Sequence, residues 1–345
     1  MPAGKGVSEE GGGELAKQMV RDLQPGQEVR SVFLVTRKEV KKARTGAPYL
    51  SLELMDKSGR IEAKVWDGIG QLSNSFSEKD FILVVGRVES FRDTKQVVVS
   101  SLRKCREEDV DLEDFIRTSE LDPSLLAREI REAAEEVKNP YLRELLGLFL
   151  EDGEFMRGFV AAPAAKNYHH PYRGGLLEHT AYTVRICRIL CDLYPQLDRD
   201  LLLSAAILHD IGKIRELEWD VAVEYTDEGR FLGHLVVGDQ MIRERIATIE
   251  GFPPDLSMRL RHAVLSHHGE LEWGSPKRPK TLEALVLHHV DNLDAKINSF
   301  LEVILRSNGS ESSWTDVKNL FRRPLYVPRS MYQEMEISVD EELGI

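Results

Sequence analysis

The chain has 345 residues, 42% hydrophobic and 30% charged, an ordinary globular composition that can bury the cores of two or three domains. It contains no run of about 18 uncharged apolar residues, and MPAGKGVSEEGGG at its start lacks the apolar stretch of a secretory signal, so a cytoplasmic protein without a membrane partner is expected. The net charge of −12 argues against nucleic acid as a partner, yet residues 25–105 hold 15 Lys and Arg against 10 Asp and Glu, a local +5 that leaves −17 for the rest.

In chain order, residues 1–12 are Gly-rich and polar and are expected to be a disordered tail, followed by a short helical pattern ending near Asp22. From Gln27 the periodicity becomes that of strands. A first run lies near Val29 to Thr36. In Tyr49-Leu50-Ser51-Leu52-Glu53-Leu54 leucines alternate with polar residues, Asp56-Lys57-Ser58-Gly59 supplies a turn, and Ile61, Ala63 and Val65 resume the alternation. Two further runs span Phe81 to Val88 and Gln96 to Leu102. Strands this closely spaced leave little room for crossover helices, which predicts a small antiparallel barrel of the five-stranded OB type over residues 13–105.

The acidic, poorly periodic stretch 106–122 reads as a linker, and Asp122-Pro123-Ser124 as a helix start. Apolar residues then recur at helical spacing in 123–150, 175–193, 198–211, 238–248, 255–267 and 281–305, so an all-α domain is expected over 123–325, with an acidic tail over 326–345. No internal repeat is found. The three cysteines form no CxxC pair, and Cys187 and Cys191 sit four apart in an apolar helical run, as reduced core thiols do.

All ten histidines lie between 169 and 289, inside the helical domain. His209-Asp210 ends the apolar run Leu201 to Leu208 and precedes Ile211-Gly212-Lys213, where Gly212 marks a helix stop. An imidazole beside a carboxylate at the end of a buried helix is costly unless something compensates the pair. A divalent cation would do so, and this donor set suits Mn, Fe, Co or Zn better than Ca or Mg. Further donors stand at helix positions: His179 near the start of its helix, His234 in Gly233-His234-Leu235, His267 and His268 at a helix end, and Asp291 on the helix that begins near Thr281. Any one of these alone is more often a hydrogen-bonded histidine. Together they point to a metal site built between helices.

His179, then His209-Asp210 within HDIGK, then Asp291 resembles the H…HD…D pattern of the HD phosphohydrolase superfamily, an all-α fold whose members hydrolyse phosphoesters. His234 with His267 and His268 resembles the two-metal members. The resemblance implies that His179, His209, Asp210 and Asp291 hold one ion, and Asp210, His234 and one or both of His267 and His268 a second. The segments from Lys166 to Thr180, from Ser266 to Gly269 and from His288 to Lys296, preceded by the OB-like region, resemble the YhaM-type 3'-to-5' exoribonucleases over about residues 15–325.

That resemblance implies a metal-dependent 3'-to-5' exoribonuclease acting on single-stranded RNA, with single-stranded DNA as a further substrate. Nucleoside 5'-monophosphates would leave after attack by a metal-activated water. Two ions per chain are expected, Mn first and Fe or Co as alternatives, and the homologous enzymes allow a homo-oligomer. Asp210 and Lys213 are the catalytic candidates, Lys213 neutralising phosphoryl oxygens. Lys213, His170 and Arg173 are expected at the substrate, while Asp294 and His288 support the ligands. In the barrel, Arg37, Lys38, Lys41 and Lys42 would take phosphates, and Tyr49 and Trp66, with Phe33 and Phe91 as further platforms, would stack on bases. Two other readings remain at this stage: a nucleotide phosphatase or cyclic dinucleotide phosphodiesterase on the same site, and a non-catalytic OB adaptor.

Overall fold

The computed structural model describes residues 17–91, 94–166, 169–220, 222–306, 312–315, 317 and 319–327. The expected tail 1–12 and all but Tyr326 and Val327 of the expected tail 326–345 lie outside them. By its contacts the chain divides into two units, residues 1–118 with 220–222, and residues 119–219 with 223–345.

The first unit is a closed barrel of five strands, β1 (Glu28–Lys42), β2 (Pro48–Asp56), β3 (Gly59–Val65), β4 (Phe81–Phe91) and β5 (Thr94–Lys104), in the order β1-β2-β3-β5-β4. One pair departs from the antiparallel expectation: β3 and β5 run parallel, because the short helix α1 (Ile69–Leu72) and β4 intervene before β5 closes the barrel. Alternation decides which side chains face inward. Leu50, Leu52 and Leu54 of β2 meet Ile61, Ala63 and Val65 of β3 and Val97 and Val99 of β5 in one core. Phe33, considered above as a stacking platform, is fully buried in that core, since its strand neighbours place it on the inward face. The expected linker is ordered onto this unit. Its 3-10 turns Glu107–Asp109 and Leu112–Asp114 deliver Val110 and Phe115 to a second cluster with Val32, Leu34, Phe81 and Leu83.

The second unit is helical: α2 (Pro123–Glu136), α3 (Pro140–Leu150), α4 (Gly153–Ala161), α5 (Gly175–Leu193), α6 (Arg199–Leu208), α7 (Lys213–Glu216), α8 (Asp227–Ile246), α9 (Pro254–Ser266) and α10 (Leu282–Arg306), with a two-residue hairpin of β6 (Leu217–Glu218) and β7 (Glu224–Tyr225) after α7. The apolar run 123–150 is two helices, because Pro140 forces Asn139 out of helical geometry and the Asn139 side chain then caps α3 by accepting from the Tyr141 and Leu142 N–H groups. Every residue of α6 from Leu201 to Leu208 is buried. That helix packs against α2, α5, α9 and α10, and so delivers its C-terminal His209-Asp210 to the centre of the bundle. Cys105, Cys187 and Cys191 are free and buried. Among the described residues no helix is long and apolar enough to cross a membrane.

Candidate metal centre

His209 and Asp210 continue the last turn of α6, and the chain then approaches α8 closely. A Cβ on Gly212 would stand 2.1 Å from the His234 carbonyl oxygen, so only glycine lets the turn after Asp210 lie against the segment carrying His234. Gly212 therefore serves close approach; its φ of −62° is ordinary. The other half of that contact is made in α8, where Gly233 adopts φ 72°, ψ 155° and kinks the helix. The kink frees the His234 backbone N–H to donate to Glu216 Oε1 at 2.9 Å and turns the imidazole toward Asp210.

The imidazoles are oriented by what their Nδ1 atoms find. Those of His209, His267 and His268 donate to the carbonyls of Ala206, Val264 and Trp273 at 2.8, 2.7 and 3.0 Å. A carbonyl can only accept, so each Nε2 presents a lone pair to the centre. His234 Nδ1 is held by both Glu216 oxygens at 2.9 and 3.0 Å, and His179 Nδ1 by Asp294 Oδ2 at 2.6 Å. Metal-bound histidines are commonly fixed in this way.

Two groups of donors result, one of His179, His209, Asp210 and Asp291, the other of His234, His267 and His268, each with its atoms within 4.8 Å of one another. Asp210 stands between them. Its Oδ2 lies 3.5 and 3.4 Å from the Nε2 atoms of His179 and His209, and its Oδ1 3.6 and 3.4 Å from those of His234 and His267. Asp291 Oδ1 completes the first group at 3.2 Å from His179 and 3.8 Å from His209.

These residues fit divalent cations on three counts. Donors held about 2.0–2.2 Å from one ion are themselves about 3.0–3.6 Å apart, and of the Asp210 and Asp291 distances given above all but the 3.8 Å between His209 and Asp291 fall in that range. Asp210 Oδ1 and His267 Nε2 are buried with no hydrogen-bond partner. Finally, the Nε2 atoms of His234 and His268 face each other at 3.2 Å, both as acceptors, an arrangement that needs positive charge between them.

Protonation follows from the same contacts. Burial opposes the Asp210 charge, but Lys213 and His209 outweigh it and hold the carboxyl well below the usual range. Asp291 and Asp294 are likewise held down, against burial, chiefly by His179 for Asp291 and by His170 and His179 for Asp294. Burial keeps His267 below the ordinary value and pushes His268 to about 3, where it is neutral at any physiological pH. Burial also acts against the His179 cation, yet Asp291 and Asp294 prevail and raise it to about 10. Without a metal, a proton on His179 balances the two carboxylates.

Of the residues expected at the substrate, Arg173 is exposed. His170 is fully buried and faces inward, with Nδ1 at 2.8 Å from the Tyr172 hydroxyl and Nε2 at 3.1 Å from Asp294 Oδ2, so it supports the carboxylate that holds His179. Lys213 is buried with its ammonium 2.5 Å from Asp210 Oδ2, paired with the central carboxylate. Asp294 stands behind His179 as expected, and His288 donates from Nδ1 to the His267 carbonyl at 2.8 Å. Glu216 was not foreseen. One acid among many gives no periodic signal, and only its place in the turn that follows HDIGK marks it. His169, unassigned from sequence, has its ring 5.9 Å from that of His179, and burial, then Lys213, pushes it down to about 3.

In the barrel the basic residues separate by environment. Arg37, Lys41 and Lys42 are exposed, and Lys41 pairs with its strand neighbour Glu39 at 2.8 Å. Lys38 instead donates to the carbonyls of Ser73 and Phe76 and lies over the Phe76 ring, a structural tie. Tyr49 and Trp66 pair with centroids 4.8 Å apart and planes 30° from parallel. Phe91 is exposed, with the Lys64 ammonium 5.1 Å from its ring centre.

Comparison with known proteins agrees with both units. Residues 176–296 match the HD domain family and residues 34–104 the OB-fold nucleic acid binding domain family. An OB-fold domain of replication protein A from Methanococcus maripaludis, 18% identical, covers 27% of this chain and 97% of its own with a TM-score of 0.23. The 3'-5' exoribonuclease YhaM of Bacillus subtilis is 37% identical over 276 residues, 79% of this chain and 86% of that protein. YhaM of Shouchella clausii is 34% identical over 319 residues, 92% of this chain and 99% of that one. With both domain types present and the relatives matched over most of their length, the chain belongs to the YhaM family of 3'-5' exoribonucleases.

Proposed function

We propose that this protein is a metal-dependent 3'-to-5' exoribonuclease that converts single-stranded RNA to nucleoside 5'-monophosphates with two divalent cations per chain. The observation that carries the reading is Asp210, whose two oxygens face two separate donor groups. His179, His209, Asp210 and Asp291 would hold one ion, and Asp210, His234, His267 and His268 the other. Imidazole with carboxylate suits Mn, with Fe or Co as alternatives. Such ions supply an acidified water and neutralise charge on the phosphodiester.

The chain's own groups do the rest. Asp294 and Glu216 aim His179 and His234 inward, and the neutral His267 and His268 remain donors at physiological pH. Lys213 keeps Asp210 ionised and lies close enough to offset charge on a phosphoryl oxygen. Arg173 is available to the strand from the surface. In the barrel, Arg37, Lys41, Lys42, Tyr49 and Trp66 would retain single-stranded RNA through phosphate contacts and stacking, and the same contacts would admit single-stranded DNA. The free thiols fit a reducing, cytoplasmic setting.

A 5'-labelled oligoribonucleotide incubated with Mn should give a descending ladder, and a 3'-labelled one should release labelled nucleoside 5'-monophosphate from the first time point. Cleavage of a circular RNA, products ending in 3'-phosphate, or preferential hydrolysis of a cyclic dinucleotide would overturn the reading.

A further inference from the structure

Between the donor pair His267-His268 and α10 the chain makes a short excursion whose chemistry is unlike that of its surroundings. From Trp273 to Lys280 it carries Lys277, Arg278 and Lys280 and no acid, although the chain outside residues 25–105 has a net charge of −17. Lys277 and Lys280 are exposed and have no ion-pair partner among the described residues, while Arg278 donates to Glu270 at 2.9 Å. Trp273 leaves 52% of its surface in water, so a large part of its indole is open to a ligand.

The excursion is fastened. The Ser275 hydroxyl, almost wholly buried, lies between the carbonyls of Leu265 at 3.1 Å and Lys277 at 2.7 Å, and the Lys280 backbone N–H donates to His262 Nε2 at 2.9 Å. Pro276 and Pro279 remove further backbone freedom. It is also tied to the metal centre. The Trp273 carbonyl accepts from His268 Nδ1 at 3.0 Å, and its ring centre is 6.1 Å from that of His288, which in turn donates to the His267 carbonyl. A rigid segment that carries an exposed indole tied to the donor histidines, and exposed ammonium groups further along the same loop, has little ordering entropy to lose on binding a ligand.

We propose that the loop from Trp273 to Lys280 is a nucleotide-binding element of the helical unit: Trp273 stacks on a base at the 3' end of the RNA, next to the phosphate being cleaved, and Lys277 and Lys280 take neighbouring phosphates. This rests on the exoribonuclease reading above. It assigns the helical unit its own hold on the reacting end of the strand, independent of the barrel. Stacking of this kind is sequence-tolerant, as an exonuclease requires, because every base has a π-face.

The full-length protein tests it. With a short oligoribonucleotide, Trp273→Ala should raise KM about tenfold, equivalent to about 1.4 kcal/mol, with kcat changed much less, and Trp273→Phe should restore most of the loss. The same substitution should have little effect on KM for an oligonucleotide abasic at its 3' end or for methyl p-nitrophenyl phosphate, neither of which offers a base there. In EDTA, quenching of a 3'-terminal 2-aminopurine should depend on Trp273, and the affinity on Lys277 and Lys280. An unchanged KM for the short oligoribonucleotide, or an equal rise for the base-free substrates, would overturn the assignment, the latter by showing that the side chain acts through His268. If the quenching depends on Trp273 while the unaltered protein hydrolyses no RNA, the loop assignment stands and the exoribonuclease reading fails.

Discussion

In the barrel Arg37, Lys41 and Lys42 of β1 stand in solvent, Lys41 beside the exposed Glu39, whereas in the helical unit Lys213 is buried against a buried Asp210. The same kinds of charge are therefore subject to different physics. Exposed ion pairs are worth little and are screened by salt. Buried ones are costly unless every oxygen and nitrogen finds a partner, and they respond to protons and metals more than to salt. Barrel function should accordingly be graded and salt-dependent, and that of the helical centre all-or-none and dependent on metal.

The largest expected effect follows from removing the carboxylate shared by both donor groups. Asp210→Asn keeps the shape, removes the charge, and leaves Lys213 buried without an anion. We expect kcat to fall by about 10³-fold or more, in keeping with loss of several kcal/mol of charge stabilisation, and stability to fall by about 3–5 kcal/mol as for other broken buried pairs. Metal analysis of the purified variant should find both positions depleted while circular dichroism still shows a helical protein. A variant that retains two ions would break the contrast at its centre.

A second prediction uses pH to move the two units in opposite directions. In chelated protein the His179 value of about 10 stands above the unfolded value of about 6.5. Its contribution to stability is therefore complete below about pH 6.5 and is lost as the pH rises toward 10. The barrel holds the opposite case. Burial between the Phe33 and Phe115 rings lowers Lys17 to about 8 despite Asp56 at 3.7 Å, so that group penalises the fold below about 8 and the penalty lifts toward its unfolded value of about 10.4. Hydrogen exchange resolved by segment should thus show helical protection falling and barrel protection rising between about pH 8 and 10. Added Mn should abolish the helical trend, because the ion replaces the His179 proton, and its affinity should rise about tenfold per pH unit over that window. Parallel trends in the two units would remove this basis for telling them apart.

The two units also differ in what their sequences disclosed. Barrel strands are written in period-two alternation, and Leu50, Leu52 and Leu54 face inward as that pattern demands. The extent of β1 escaped, since its outer residues, Arg37 to Lys42, are polar except for the exposed Val40 and bury no alternate face. The linker hid two core residues, Val110 and Phe115, whose partners lie far off in sequence. In the helical unit the apolar runs located α5, α6, α9 and α10, but α8 begins eleven residues before its expected start, because Gly233 interrupts the pattern. Helix α4 was not anticipated, although Asp152 caps it and Phe155, Met156 and Phe159 give it an apolar face. The donor residues could be read as types in a familiar order. Their orientation could not, because it depends on contacts such as Glu216 with His234 and on the missing Cβ of Gly212, which exist only once the chain is folded.

The smallest expected effect tests the barrel side. Residues 37–42 of β1 pair with β2, Lys41 opposite Tyr49 and Lys42 opposite Pro48, so the exposed Lys41 shares a face with Tyr49 of the Tyr49 and Trp66 pair, and the exposed Lys42 occupies the other face at the next position. If these lysines contact phosphates, the double variant Lys41→Ala, Lys42→Ala should flatten the dependence of log affinity on log salt by about 1.4, two contacts at about 0.7 each on a single strand. Its stability should stay within about 0.5 kcal/mol of the unaltered protein, since exposed side chains away from structural contacts contribute little. Lys38 supplies the control from the same strand. Its ammonium is committed to the Ser73 and Phe76 carbonyls, so Lys38→Ala should cost about 1–3 kcal/mol of stability and leave the salt slope alone. Filter binding of a long RNA across a salt series, beside urea unfolding of each variant, measures both quantities. An unchanged slope in the double variant would move the phosphate contacts off this ribbon, and a changed slope for Lys38→Ala would mean that its buried ties open when RNA binds.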